Sequence, residues 1–321
     1  MTTHTKHIFG TIETGGTKTK CGLGLYDQKK KTMPKILDQV QFPTTTPDET
    51  MGRIIDYFSR KQTALENSPT AKKYQASEMS AIGVACFGPL NPNPESRTFG
   101  YITTTPKPHW ENYNFVGALK QKFRIPIGWD TDVNAPALAE SLWGCAQGVD
   151  PVLYITVGTG LGGGAVVNGR PVHGLLHPEM GHILVRNHQH DGFKGCCPYH
   201  DYCLEGMASG TSLKQRWGHT VTEFEPGHVA WEIEAYYLAQ GLQSYIMTLS
   251  PKKIMLGGGV MQQEQLFPLV REQLKDLLNG YLQVPEFELA ESMEDYICPP
   301  ELGDDAGLYG GLALAAQAYN S

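Results

Sequence analysis

The sequence has no apolar run approaching the roughly 18 residues that a membrane-crossing helix requires, so nothing in its 321 residues predicts a membrane span. It has no concentrated basic tract either. KKK at 29–31 reads as a solvated turn, and a formal net charge of −7 argues against nucleic acid as a partner, because phosphate-backbone binding depends on clustered Lys and Arg. Cysteine is scarce and odd in number: seven, at positions 21, 86, 145, 196, 197, 203 and 298, which is no disulfide framework for a chain this long. The opening MTTHTKHIFG lacks the apolar stretch and small-residue cleavage site of a secretory signal, so a cytoplasmic location is expected. No G-x-x-x-x-G-K-[ST] occurs, which excludes a P-loop protein. No linker or low-complexity stretch interrupts the chain, yet its length is about twice that of a usual domain. Two domains sharing an interface are expected.

What is present is ordinary globular composition, 40% hydrophobic and 18% charged, arranged twice in similar order. HIFGTIETGGTKTKCGLGLYD reads as two strands with Ile8, Ile12, Cys21, Leu23 and Leu25 inward, joined by a tight turn at Gly15 and Gly16. A helix over 48–66 with Met51, Ile54, Ile55, Phe58 and Leu65 on one face precedes the buried strand in SAIGVACFGPLNP. A helix near 114–123 leads to strand PIGWDTDVN, and APALAESLWG reads as the next helix. Strand VLYITV, the loop GTGLGGG and AVVNGRPV with its Asn168-Gly169 hairpin signal then repeat the pattern. A long helix over 226–249, closed by Pro251, a strand in KKIMLGGGV, a helix over 264–281 and an alanine-rich C-terminal helix complete the chain.

Four segments combine glycine with small or hydroxyl residues at strand ends: ETGGTK at 13–18, GTGLGGG at 158–164, LGGGVM at 256–261 and GDDAGLYGG at 303–311. Glycine lets backbone N–H groups approach a phosphate closely, and threonine adds hydroxyl donors. Any one such loop is as readily a plain turn; four together point to a nucleotide. Gly158, Gly160 and Gly163, with Glu179 about twenty residues on, imitate a dinucleotide fingerprint. The context excludes it, because AVVNGRPV continues as a strand where that motif needs a helix.

Hairpin phosphate loops in both halves, with a strand-end Asp between them, are the layout of the sugar kinase, actin and heat-shock ATPase architecture. ETGGTK resembles the first phosphate loop of the ROK sugar kinases, WDTDVNAPALAE their catalytic segment, GTGLGGG their second phosphate loop, and HPEMGHILV with CLEG their sugar-binding signature. YITTTPKPHW and CPYHDYCLEG are similar in particular to the ROK fructokinases, and the resemblance spans roughly residues 8–315. It implies an α/β fold of two RNase H-like (actin-like ATPase) domains with a central interdomain cleft. Residues 1–130 would form the smaller domain, completed by a C-terminal helix at about 304–321, and 131–303 the larger.

The implied activity is transfer of the γ-phosphoryl group of ATP, with Mg2+, to the 6-hydroxyl of fructose. Glucose, mannose or N-acetylmannosamine are the alternative acceptors, and a catalytically silent sugar sensor is a remote one. A repressor is disfavoured, since about seven residues precede the first strand, too few for a helix-turn-helix. Asp132 is implied as general base; a helix N-cap is the competing reading for it or Asp130. Sugar contacts are implied for Thr131, Glu179, His182, Glu205 and Gly88, and Thr131 departs from the family's usual Asn. Glu13 replaces the usual Asp and would hold magnesium-bound water. Nucleotide contacts are implied for Gly15, Gly16, Thr17 and Lys18, for Gly158, Thr159 and Gly160, and for Gly257, Gly258, Gly259, Val260 and Met261. Ser209, Gly210 and Thr211 open a helix whose free N–H groups would favour an anion. A homodimer is the family's implied assembly.

Cys197, His200 and Cys203 form C-x2-H-x2-C, and His182, fifteen residues before Cys197, supplies a fourth ligand for a closed, structural, tetrahedral zinc. Cys196, His188 and His190 are rival ligands. Such a site would tie the loop bearing Glu179 to the segment bearing Glu205.

Overall fold

The computed structural model describes residues 6–66, 76 and 78–321, and the chain divides into two compact units. The first takes the chain up to Gln147 together with Pro171–Pro178 and Asp304–Ser321; the second takes Gly148–Arg170 and Glu179–Gly303. Among the described residues no helix is long and apolar enough to cross a membrane.

In the first unit, strands β1 (Lys6–Thr14), β2 (Lys18–Asp27), β3 (Lys35–Pro43), β4 (Met79–Cys86) and β7 (Ile127–Thr131) form a sheet of order β3-β2-β1-β4-β7; β5 (Tyr101–Ile102) and β6 (Tyr113–Asn114) pair separately. The glycine turn makes β1 and β2 antiparallel, while β4 and β7 run parallel to β1. Ile8, Ile12, Cys21 and Leu23 are buried against Met51, Ile54 and Phe58 of helix α1 (Pro47–Glu66). Tyr57 is buried in α1 and Ile55 only half-buried, because the helix turns its apolar stripe slightly from the one expected. Helices α2 (Phe115–Lys122) and α3 (Asn134–Trp143) precede and follow β7.

The second unit repeats the sheet. β8 (Val152–Val157), β9 (Leu161–Val167), β10 (Arg170–Pro171), β11 (Lys253–Gly257) and β12 (Ile297–Cys298) lie in the order β10-β9-β8-β11-β12, with β8/β9 antiparallel and β8/β11 and β11/β12 parallel. Its helices are α4 (Leu204–Met207), α5 (Gly210–Trp217), α6 (Val229–Leu249), α7 (Leu266–Leu278), α8 (Pro285–Glu288) and α9 (Ala290–Tyr296). α6 is capped by the His228 side chain, which accepts the Ala230 N–H, so it starts three residues later than expected and leaves Val229 exposed.

The C-terminal helix α10 (Ala306–Asn320) belongs to the first unit and packs on β1 and β4. Its small residues are a geometric requirement. A Cβ on Gly83 would lie 1.7 Å from Gly311 O, and one on Gly310 would lie 2.4 Å from the carbonyl carbon of Ala135 in α3. That second contact holds α3 to α10. It explains why the first unit runs to Gln147 rather than ending at the 130–131 boundary expected from sequence.

Gly83→Ala should therefore destabilise the protein by at least the ~1–3 kcal/mol typical of an overpacked core. Gly52→Ala, at an α1 position with nothing within 4 Å of the new Cβ, should stabilise by about 0.4–1 kcal/mol. Urea denaturation of the two variants against wild type measures both.

Candidate active site and metal centre

Pairing register aligns the carboxyl ends of three strands in the first unit. Thr14 faces Cys86 and Cys86 faces Thr131. The chain then continues the bonding past the strands: Phe87 N–H donates to Thr14 O and Asp132 N–H to Cys86 O, each at 2.8 Å. The first glycine loop, the Gly88 turn and Asp132 thus emerge from one sheet edge, where parallel α/β sheets place ligands. Gly16, Thr17 and Lys18 are exposed at the loop tip. Behind them, Thr44 donates its hydroxyl to Gly15 O at 2.9 Å and its N–H to Thr17 O at 3.0 Å.

The two aspartates of WDTDVN have separate fates. Asp130 is buried, its Oδ1 accepting the Thr131 N–H and the Asn134 side-chain amide at 2.7 and 2.8 Å, with His173 Nε2 2.8 Å from its Oδ2. Asp132 is half-buried. Thr131, expected to meet the sugar, is instead buried, and its hydroxyl accepts the Asn134 N–H at 3.0 Å at the start of α3. A Cβ at Gly88 would contact the His177 ring at 3.3 Å, and His177 Nε2 accepts the Leu90 N–H at 3.1 Å. Hydrogen bonding to Asp130 raises the His173 pKa, whereas burial lowers that of His177. Neither histidine was given a role from sequence; the available signal was that His177 opens the quoted signature HPEMGHILV, with His173 four residues before it.

Glu13 is pushed up by burial, opposed by Lys20, whose ammonium lies 3.7 Å away. Its Oε2 is buried without a hydrogen bond.

In the second unit the loop at 158–160 is held from behind. Gly158 N–H donates to Gly160 O at 2.8 Å, Gly210 N–H to Gly158 O at 2.7 Å, and Thr211 donates both N–H and hydroxyl to Thr159 O, at 3.2 and 2.7 Å. Ser209 is buried and caps α5, its hydroxyl accepting the Ser212 N–H at 3.2 Å. The helix-start N–H groups expected to be free for an anion are therefore already bonded, and α5 braces the second glycine loop. At the end of β11, Gly258 has φ +92°, and a Cβ there would lie 2.4 Å from Val157 O. Val260 and Met261 are buried, so the exposed part of this turn is glycine backbone.

His182, Cys197, His200 and Cys203 come together with one donor atom each, all within 4.8 Å of one another. His182 Nδ1 is 3.8 Å from Cys197 Sγ and 3.7 Å from Cys203 Sγ, and His200 Nδ1 is 3.6 Å from Cys197 Sγ. A tetrahedral zinc with Zn–S of about 2.3 Å and Zn–N of about 2.0 Å needs S···N edges of roughly 3.5 Å. The donor set fits a metal of that kind. Cys196, His188 and His190 lie outside the group. The remaining ring nitrogen, His182 Nε2, stands 4.0 Å from Glu179 Oε2 and 4.0 Å from Glu205 Oε1. Burial, then the Glu205 charge, pushes Glu179 up to about 7. Glu205 Oε2 accepts the Leu161 N–H at 3.0 Å, joining the segment after Cys203 to the second glycine loop.

The loop that carries the Cys/His donors is anchored on α5 and α6. Arg216, almost fully buried, lies 3.1 Å from Asp191 and donates to Met207 O at 2.8 Å, while Asp191 also accepts the Tyr237 hydroxyl at 2.7 Å. Beneath this network Glu234 is fully buried with neither carboxyl oxygen hydrogen-bonded, and burial, opposed by the Arg216 charge, raises its pKa from 4.5 to about 8. The native state thus keeps a proton that the unfolded chain releases, and stability from this group declines as pH rises from about 4.5 to about 8, by up to ~1.4 kcal/mol per pH unit. Glu234→Gln should flatten that decline; melting temperatures of both proteins at pH 5, 6, 7 and 8 test it.

A family model described as the ROK family matches residues 9–318. A fructokinase of Zymomonas mobilis is 42% identical over 98% of both chains. A fructokinase of Pediococcus pentosaceus is 40% identical, covering 98% of this chain and 99% of its own. A ROK hexokinase from Thermus thermophilus superposes with a TM-score of 0.74 at 26% identity, covering 97% of this chain and 98% of that one. Each unit is accordingly an α/β domain of the actin-like ATPase and sugar kinase type. With the match running through both units, the chain belongs to the ROK family of sugar kinases.

Proposed function

We propose that the chain is an ATP-dependent fructokinase that moves the γ-phosphoryl group of ATP to the 6-hydroxyl of D-fructose. The observation that carries this is the meeting of the glycine-threonine loop and Asp132 at one sheet edge, in a chain whose full-length relatives include fructokinases. Phosphoryl transfer needs positioning, charge neutralisation and an acceptor for the hydroxyl proton. Asp132 takes that proton as the sugar oxygen bonds to phosphorus, and the bond to the β–γ bridging oxygen breaks with ADP as leaving group. Glu179 and Glu205 accept hydrogen bonds from sugar hydroxyls, and Gly88 offers its backbone.

Gly15, Gly16, Thr17 and Lys18 hold phosphate, as do Gly158, Thr159 and Gly160, while Gly257 to Met261 approach the nucleotide through backbone. Ser209, Gly210 and Thr211 act from behind, as the brace of the second loop. Mg2+ accompanies ATP and neutralises phosphate charge; Glu13, at the start of the first glycine loop with Lys20 3.7 Å from its Oε2, is the residue that would hold it through water. The two thiolates and two imidazoles would hold Zn2+, since soft donors in a closed tetrahedron suit zinc and not Mg2+. If Nδ1 ligates the metal, His182 would keep a proton on Nε2 and could donate it toward the carboxylates or the sugar. The reading includes a cytoplasmic homodimer.

Coupled-assay rates with fructose, glucose, mannose and N-acetylmannosamine should put fructose first; a higher kcat/KM for another hexose reassigns the substrate. Asp132→Asn should lower kcat by about 10²- to 10⁴-fold with AMPPNP binding and circular dichroism unchanged. Metal analysis should find one zinc per chain. Cys203→Ser should lose it and lower the melting temperature, and a zinc content near zero in active wild-type protein would remove the metal from the reading.

A further inference from the structure

The stretch TTTPKPHW, which resembles fructokinases, carries Lys107. Its backbone is fastened at both ends. Thr103 donates its N–H and its hydroxyl to Pro89 O, at 2.8 and 3.0 Å. Trp110 is fully buried and donates its indole N–H to Thr45 O at 2.8 Å, and its ring packs edge-on against Phe87 at 5.4 Å. Between these anchors Thr105 Oγ1 accepts the Lys107 N–H at 3.3 Å. The half-buried Lys107 ammonium donates to Gly16 O and, at 3.4 Å, to Thr44 O.

Three successive carbonyls of the first glycine loop are therefore held by one neighbouring layer. Gly15 O accepts from the Thr44 hydroxyl, Gly16 O from Lys107 Nζ and Thr17 O from the Thr44 N–H. In a trans peptide the N–H points opposite to the C=O. Holding Gly15 O turns the Gly16 N–H away from that layer, and holding Gly16 O does the same to the Thr17 N–H. Successive N–H groups facing one side make an anion-binding concavity. Glycine at 16, with no atom within 4 Å of where a Cβ would stand, has no side chain to fix its own peptide plane. The cation on its carbonyl also withdraws electron density through the amide, which strengthens the Thr17 N–H as a donor.

We propose that Lys107 is a positioning residue of phosphoryl transfer, which orients the Gly16–Thr17 peptide so that its N–H faces a phosphate of the nucleotide. The inference rests on ETGGTK being a phosphate loop, and deepens the kinase reading by giving the fructokinase-like segment a role in nucleotide handling rather than in sugar choice. Lys107 acts through the loop backbone and touches no reacting atom.

The test compares Lys107→Met and Lys107→Arg with wild type, reading affinity for Mg-AMPPNP and for adenosine, kcat and fructose KM, and melting temperature. Lys107→Met should weaken AMPPNP about tenfold and lower kcat about ten- to a hundredfold. Adenosine affinity and fructose KM should stay within twofold, and Lys107→Arg should recover most of both losses. Unchanged AMPPNP affinity and kcat in Lys107→Met, beside a nucleotide-binding wild type, overturns the inference and leaves the kinase reading standing. An equal loss for adenosine, with a lowered melting temperature, reduces Lys107 to a structural tether and overturns it too. Wild-type protein that binds no AMPPNP overturns the kinase reading together with the inference.

Discussion

His182 has two ring nitrogens, and the chemistry of the second unit depends on their facing different partners. Nδ1 stands near the sulfurs of Cys197 and Cys203, and Nε2 stands near Glu179 and Glu205. Two carboxylates share this partly buried place, and burial first, with the neighbouring Glu205 charge second, raises the Glu179 pKa. A metal ion held on the Nδ1 side would fix the tautomer and make the imidazole a donor on the carboxylate side. Local chain organisation follows from the same point. Glu205 is bonded to Leu161 N–H, so the cluster that orients His182 also sets one end of the second glycine loop, whose other carbonyls are held by Gly210 and Thr211.

The first unit orients its glycine loop with a threonine and a lysine. Its glycine loop is oriented through its carbonyls, by Thr44 and Lys107, and Asp132 is placed by continuing strand bonding one residue beyond β7. In both units the loop glycines leave little side-chain material at the tips, and bonded carbonyls supply the rigidity. The shared plan matches the shared strand order of the two sheets. Backbone-to-backbone approach of α10 on β4 at Gly83 and Gly311 is what allows residues 304–321 to close the first unit from the far end of the chain.

Much of this was legible in the sequence because the signals are short-range. The Gly15-Gly16 turn, the Asn168-Gly169 hairpin, the apolar periodicity of α1 and α6 and the C-x2-H-x2-C spacing each express a constraint over a few residues, and a period of 2 or 3.6 needs no partner to be read. The two-residue strand β12 was not anticipated, since Ile297 and Cys298 gain their strand character only from pairing with Ile254 and Met255. The family resemblance implies Thr131 as a sugar contact, at the position of the usual Asn; that its hydroxyl accepts the Asn134 N–H at the start of α3 shows only in the structure.

By itself the sequence determined the repeated strand, glycine turn and strand units, the identity of the four metal-type donors and the residue types available for phosphoryl chemistry. Only the tertiary structure decided which donors were already occupied. The N–H groups of Gly210 and Thr211 go to a loop about fifty residues earlier, Asp130 goes to His173 rather than outward, and Lys107 reaches Gly16 across more than ninety residues of chain. The reason is physical: a hydrogen-bonding group's chemical type is a property of its residue, but whether it is free is a property of whatever packs beside it, and long-range packing leaves no local pattern in the chain.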